Sequence, residues 1–207
     1  MSSQKTSQPA RAPQRKRGHE RVASLLAAAA DCFVEKGYDA ATMTEIAARA
    51  GASIGSLYQF FPTKESIAQA LMSGHADALY DRIGQLAERA GRWDDAELAG
   101  QLVRLFVDFR RQHPSFVVLT EVAASTPQDE VLTIRMRIRA DLAALLADRF
   151  PQLSATQARA AATVVQYMMK AAVALHAEAA SAARSAAHAQ LRQALQLYLQ
   201  DLATSAA

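Results

Sequence analysis

The stretch between Gly37 and Lys64 constrains the fold most, because its stop and start signals leave room only for helices of one to two turns. Gly37 ends the helical pattern that precedes it. Thr42, with Glu45 three positions later, forms a capping box, and Met43, Ile46, Ala47 and Ala50 make the apolar stripe that runs up to Gly51. Ser53 caps a further helix through about Phe60, and Pro62-Thr63 breaks it and caps a fourth that begins at Lys64. Two short helices joined by the tight Gly51-Ala52 connection, behind a longer first helix, make a helix-turn-helix arrangement.

Elsewhere apolar residues recur at spacings of three and four and no segment alternates as a strand does, so the expected fold is all-α. The first helix is expected over 18–36, and longer ones follow over 64–89, 95–113, 115–125, 127–150, 155–180 and 183–204. Breaks fall at Gly91, Pro114, Pro127 and Pro151, and Ser154 with Gln157 forms a second capping box. Three parts result: a disordered basic tail over 1–17, a helix-turn-helix domain over 18–63, and a larger helical domain over 64–207.

With 51% hydrophobic and 21% charged residues the chain reads as a folded protein. Its longest apolar runs are too short to cross a bilayer, and the basic start is not followed by a secretory apolar core, so no membrane partner and a cytoplasmic location are expected. Cys32, the only cysteine, excludes an internal disulfide and sits on an apolar helical side as core filler. Positions 1–75 hold nine Lys and Arg against six Asp and Glu, whereas 76–207 hold fourteen against fourteen, so the net charge of +3 belongs to the first third. Six basic residues before Val22 stand in a Ser, Gln and Pro-rich setting that buries too little to fold alone. Such a tail attracts polyanions in general.

On a helical wheel Ile54, Leu57 and Phe61 fall together and would pack against the first two helices. The opposite side presents Gly55, Ser56 and Gln59, with Tyr58 on one flank: a small, uncharged, hydrogen-bonding face of the kind that enters a major groove about 12 Å wide. Gly55 inside a helix costs roughly 0.5–1 kcal/mol relative to Ala, and close approach of another backbone is one reason to keep it. Thr42, Ser53 and Lys64 stand at helix starts, where N–H groups and a cation can hold phosphate; as plain structure they are two caps and a solvated lysine.

From about Arg21 to Leu71 the chain resembles the DNA-binding domain of the TetR family of bacterial transcriptional regulators. The likeness is carried by "AAADCFVEKGYDAATMTEIAARAGASIGSLYQFFPTKESIAQAL". It holds Phe-x-x-x-Gly-Tyr closing the first helix, Thr-x-x-x-Ile-Ala-x-x-Ala-Gly in the second, and Gly-Ser-Leu-Tyr-x-x-Phe-x-x-Lys-Glu, in order and at the family spacing. The resemblance implies that Thr42, Ser53, Ser56, Tyr58 and Lys64 contact phosphate, while Ile54, Gly55 and Gln59 reach bases. Phe60 departs from the His or Tyr of many relatives and is expected to pack toward the fourth helix.

The resemblance further implies a C-terminal domain that dimerises and encloses a pocket. From the residues, Leu191, Ala194, Leu195, Tyr198 and Leu202 make a seam on the last helix, and Ala158, Ala161, Ala162, Val165 and Ala172 a small-residue face on the one before; both serve either a two-fold dimer interface or the core. Phe106, Phe109, Phe116, Glu121, Tyr167 and Met168 are the candidate ligand-binding residues, on apolar helices expected around the domain centre. The histidines His75, His113, His176 and His188 show no ligand-type pairing in the sequence, so no metal and no cofactor are expected. No nucleophile and base pattern or phosphate loop points to an enzyme. The expected function is a ligand-responsive homodimer on a palindromic double-stranded DNA operator, a repressor released by a small-molecule effector. The competing reading is an architectural or weakly specific DNA-binding protein without an effector.

Overall fold

Four loop residues set the geometry of the first helices in the computed structural model, which describes residues 11–125, 129–177 and 181–204. The first helices are α1 Arg11–Lys36, α2 Met43–Arg49, α3 Ile54–Phe60 and α4 Lys64–Ala90. Gly37 closes α1 at φ +80, its N–H donating to the Phe33 carbonyl at 3.0 Å. Thr42 caps α2 in the full capping box: its hydroxyl accepts from the Glu45 N–H, and Glu45 accepts from the Thr42 N–H at 3.1 Å. At the other end Gly51 takes φ +60, its N–H reaches Ala48 O at 3.1 Å and that of Ala52 reaches Ala47 O at 2.9 Å. That double bond is a Schellman closure, which needs a left-handed residue, and glycine adopts it without a Cβ penalty. Ser53 then caps α3, accepting from the Ser56 N–H at 3.1 Å.

The described residues divide into two units, the first running to Met72 and the second from Ser73, so the division falls inside α4 and not at its start. In the first unit Leu25, Ala29 and Phe33 of α1 meet Ile46 of α2, Leu57 of α3 and Ile67 of α4 in a fully buried core, with Cys32 beside them. Arg49 forks onto both oxygens of Glu35, tying α2 to α1 at the surface. α1 starts at Arg11, ahead of the expected start near Gly18, so part of the segment expected to be disordered is helix. Arg, Lys and Gln are good helix formers; a segment unable to build a core can still prolong a helix whose later turns are packed.

The second unit holds the rest of α4 with α5 Asp95–Gln112, α6 Pro114–Ser125, α7 Asp129–Arg149, α8 Ala155–Ala177 and α9 Ala182–Thr204. α8 is central: it packs on α7, α5 and α9. Ala158, Ala161, Ala162, Val165 and Ala172 of α8 are buried within the chain, and so are Leu195, Leu199 and Leu202 of α9. The small-residue face therefore lets α8 approach its own neighbours closely, so of the two readings of this face the core is the one found. Of the α9 seam, Leu195 and Leu202 are core, Leu191 and Tyr198 are half-buried and Ala194 is exposed. What α8 turns outward is Ala160, Val164, Tyr167, Ala171 and Ala174, again at spacings of four and three. The buried Gln166 amide is matched: it accepts from Arg139 Nε at 2.6 Å and donates to the Arg135 carbonyl at 3.2 Å, joining α8 to α7. Arg149 pairs with Asp95 at 2.9 Å and joins the end of α7 to the start of α5.

Candidate nucleic-acid interface

α3 is anchored by Leu57, which is 0% exposed, and by Phe61 just past its end. Around that anchor Ser53, Gly55 and Gln59 are exposed, Ile54 is 40% and Tyr58 50% exposed, and Ser56 is half-buried. The face predicted from the wheel is thus presented, with Ile54 on it and not in the core. Ile54 lies in the first turn of α3. Phe60, expected to pack toward α4, is also 40% exposed. Gly55 has no structural neighbour: a Cβ built there would meet nothing within 4 Å.

The predicted phosphate ligands separate into two groups. Ser53, Ser56 and Tyr58 share α3 or its cap, and Ser53, which accepts from Ser56, keeps its hydroxyl proton to donate. Thr42 stands at the start of α2, where its hydroxyl donates to Glu45 at 2.9 Å. Lys64 behaves differently. Its ammonium donates to the carbonyls of Tyr38, Asp39 and Ala41 at 2.8, 2.9 and 3.1 Å and lies 4.6 Å from the centre of the Tyr38 ring. An ammonium has three donors, and all three are spent on the α1–α2 loop. Lys64 in this arrangement clamps the loop. Tyr38 in turn donates to Glu65 at 3.3 Å, and burial and then the Glu65 charge push the phenol up to about 12.

Glu45 carries both the capping box and an ion pair with Lys36; the Lys36 and then the Thr42 hydrogen bonds pull its carboxyl down to about 2. One cation over the turn that leads into α3 comes from α1. Arg21 reaches the Gly51 carbonyl at 3.4 Å and Ser24 the Ala50 carbonyl at 3.3 Å, so both lie over the α2–α3 turn. Sequence reasoning counted Arg21 only among the charges of the tail. The signal was its place three residues before Ser24, on the polar side of a helix whose other side carries Val22 and Leu25.

Of the candidate ligand residues, the structure brings together Phe109 and Phe116, with ring centres 5.5 Å apart and edge to face. His75 and His113 join them: their rings lie 5.0 Å apart, and His75 Nε2 is 2.9 Å from the Ser115 hydroxyl. This pairing, between α4 and the end of α5, was not visible in the sequence. Burial and then His113 hold the His75 imidazole down at about 4. Phe106 and Met168 are half-buried, Tyr167 is 57% exposed, and the side chain of Glu121 lies outside the described residues. A cleft of about 720 Å³ opens between α4 and α7 over Tyr80, Asp81, Glu88, Arg137 and Asp141, and none of the six predicted residues lines it.

Comparison with known proteins matches 25–71 to bacterial regulatory proteins of the tetR family and 96–199, half of the chain, to the tetracyclin repressor-like C-terminal domain. The chain belongs to the TetR family. The first match covers the packed part of α1 through the opening turns of α4, and the second covers α5 to α9. Similar family proteins include the transcriptional activator FasR of Mycolicibacterium smegmatis, 39% identical over 90 residues, 44% of this chain and 40% of FasR. Another is the transcriptional repressor KstR2 of Mycobacterium tuberculosis, 31% identical over 113 residues, 53% of this chain and 56% of KstR2. The matched stretches thus span about half the length of these relatives. Among solved structures, a tetR-family regulator from Streptomyces coelicolor aligns with TM-score 0.64 and 20% identity over 90% of this chain and 83% of its own. The fatty acid degradation regulator FadR from Bacillus halodurans aligns with TM-score 0.62 and 18% identity over 96% of this chain and 97% of its own. These two share the fold.

Proposed function

We propose that the chain is a dimeric DNA-binding transcriptional regulator whose α3 reads a palindromic operator and which a small-molecule effector releases. The observation that carries this reading is the α3 surface: Ile54, Gly55, Tyr58 and Gln59 are turned to solvent while Leu57 beneath them is fully buried. A short helix that exposes an apolar, a glycine, a phenol and an amide on one side, with no packing reason for the glycine, suits close contact with base edges. In this reading Ser53, Ser56 and Tyr58 hold phosphates, Gln59, Ile54 and Gly55 meet bases, and Arg21 adds a cation over the turn.

One such helix reads too few bases, and two of them related by a two-fold axis read a palindrome. The outward stripe of α8, centred on Val164 and Tyr167, is the surface proposed for the second copy. The aromatic and imidazole cluster of Phe109, Phe116, His75 and His113 is where an effector is proposed to act, since it joins α4, α5 and α6. FasR is named an activator and KstR2 a repressor, so the sign of regulation follows from reporter measurements on the operator once found. The test is to map binding on the source genome and compare that operator with random duplex DNA. Specific recognition gives an operator affinity about 10³-fold or more tighter, and Gln59→Ala erodes the preference. Equal binding to both duplexes would leave an architectural DNA-binding protein.

A further inference from the structure

Phe60 stands exposed on α3 without a role in the surface described so far. Of the seven phenylalanines, all of them described, it alone is exposed, at 40%. Phe33 has the Tyr38 ring 5.3 Å away and Phe109 has Phe116, whereas no ring or cation among the described residues stacks on Phe60. An advance of about 100° per residue sets Tyr58 and Phe60 on opposite flanks of Gln59, with Gly55 on the Gln59 side. Leu57 and Phe61 fall on the far side and are buried. α3 therefore carries a small, hydrogen-bonding centre with an aromatic ring on each edge. The two edges differ in chemistry: Tyr58 ends in a hydroxyl that can donate to a phosphate, and Phe60 has no polar atom in its side chain.

We propose, resting on the reading of α3 as the helix that enters the major groove, that the Phe60 ring packs on the 5-methyl group of a thymine and so selects a T·A pair at one position of each half-site. Among the groups that base edges present in that groove, the thymine methyl is the apolar one; the ring nitrogens, carbonyls and amino groups need a hydrogen-bond partner that a phenyl ring lacks. Turned onto the sugar-phosphate backbone instead, the ring would strip water from phosphate oxygens and return no hydrogen bond. Against the methyl it removes apolar surface from water on both partners. Cytosine at the same place offers no methyl and an amino group that the ring would cover unpaired, so the contact discriminates as well as binds.

The probe is the tightest duplex that the full chain selects from a random-sequence pool, compared with copies in which deoxyuridine replaces thymine at one symmetry-related pair of positions at a time. That replacement removes the methyl and leaves every hydrogen-bonding group of the base in place. At one such pair, with one methyl lost in each half-site, native binding is expected to weaken about ten-fold. Phe60→Ala, its fold checked by melting temperature, is expected to bind the thymine and uracil duplexes of that pair within about two-fold of each other, while Ile54→Ala keeps the native preference there. Phe60→Leu gives the same answer where the alanine chain is unstable: its preference for thymine falls to about half of the native one or less. The proposal is overturned if no replacement weakens native binding, or if the weakening persists in Phe60→Ala or Phe60→Leu, or vanishes in Ile54→Ala. Selection that returns no preferred sequence would overturn the reading of α3 itself, and a preferred sequence insensitive to uracil would overturn only the role given to Phe60.

Discussion

In the first unit each junction carries a residue whose chemistry has one place to go, whereas in the second the helices are long and apolar or small on several sides. Gly37, Thr42, Gly51 and Ser53 each satisfy named N–H or carbonyl groups within a few residues. α8, by contrast, offers Ala158, Ala161 and Ala162 on one side and Ala160, Val164 and Ala171 on the other. Only contact with α5, α7 and α9 decides which side is buried. Local capping fixes where a helix begins and ends; choosing its inner face requires partners distant in sequence.

The sharpest way to break that contrast is to put a charge on either side of α8. Ala162 is 0% exposed and Ala160 is exposed. Ala162→Glu buries an unpaired carboxylate and is expected to cost more than about 4 kcal/mol, read as loss of the second unit's cooperative unfolding in urea. Ala160→Glu is expected to leave monomer stability within about 0.5 kcal/mol and to weaken self-association in sedimentation. The opposite ranking would mean that the inner and outer faces of α8 are reversed.

Lys64 tests the first unit in the same spirit, because its neighbours in sequence made it a phosphate ligand and its neighbours in space make it a clamp. Lys64→Met removes three charge-assisted bonds to loop carbonyls and is expected to cost about 1–3 kcal/mol of stability. At temperatures where the variant is folded, the salt dependence of DNA binding should keep its slope. Arg21→Gln should do the reverse, leaving stability nearly unchanged and lowering that slope by about one. A reduced slope in Lys64→Met would assign the lysine to the phosphate as well.

Much was legible from the sequence: the helix-turn-helix, the capping box of α2, the Ser53 cap, the burial of Leu57 and Phe61, and the ends of the long helices to within a few residues. Each of these depends on residues within one or two turns. The early start of α1, the inward turn of the small α8 face, the Lys64 clamp and the His75–His113 pair were not legible. In the last two the partners come from separate elements, and nothing in the spacing of Lys64 to the 38–41 loop, or of His75 to His113, encodes their meeting. The candidate pocket failed for a related reason. An apolar aromatic on an amphipathic helix reads alike whether it faces the core, as Phe109 does, or solvent, as Tyr167 does.

The histidine pair gives the second unit a pH signature between about 4 and 6.5. His75 titrates near 4 when folded, against an ordinary value near 6.5, because burial and the neighbouring His113 disfavour its cation. His113 is itself depressed by burial and then by Arg82, and Ser115 Oγ occupies His75 Nε2. Between those two values the unfolded chain binds more protons than the folded one, so stability rises with pH. It is fully present above about 6.5 and is lost as pH falls toward 4. Allowing for the exposed part of the ring, the loss is on the order of 1–2 kcal/mol. Urea unfolding of native and His75→Asn chains from pH 4.5 to 7.5 checks this: the difference between them should grow with pH, and a constant difference would remove His75 from the account.

The smallest expected change in stability carries the most information about function. Gly55 sits in the first turn of α3 with open space where a Cβ would go, and its backbone does not need a left-handed conformation. Nothing inside the chain therefore requires glycine there. Gly55→Ala should fold as the native chain does, gaining about 0.5 kcal/mol or less from the lower backbone entropy of the unfolded state. Gly51→Ala, at φ +60 in the turn before it, should lose about 1 kcal/mol. If α3 enters a groove with its backbone close to the bases, the added methyl at 55 meets DNA where it met nothing in the protein. Operator affinity should then fall by about ten-fold or more while the melting temperature holds or rises. An operator affinity unchanged by Gly55→Ala would show that this side of α3 does not approach DNA closely, and the glycine would have no account in either partner.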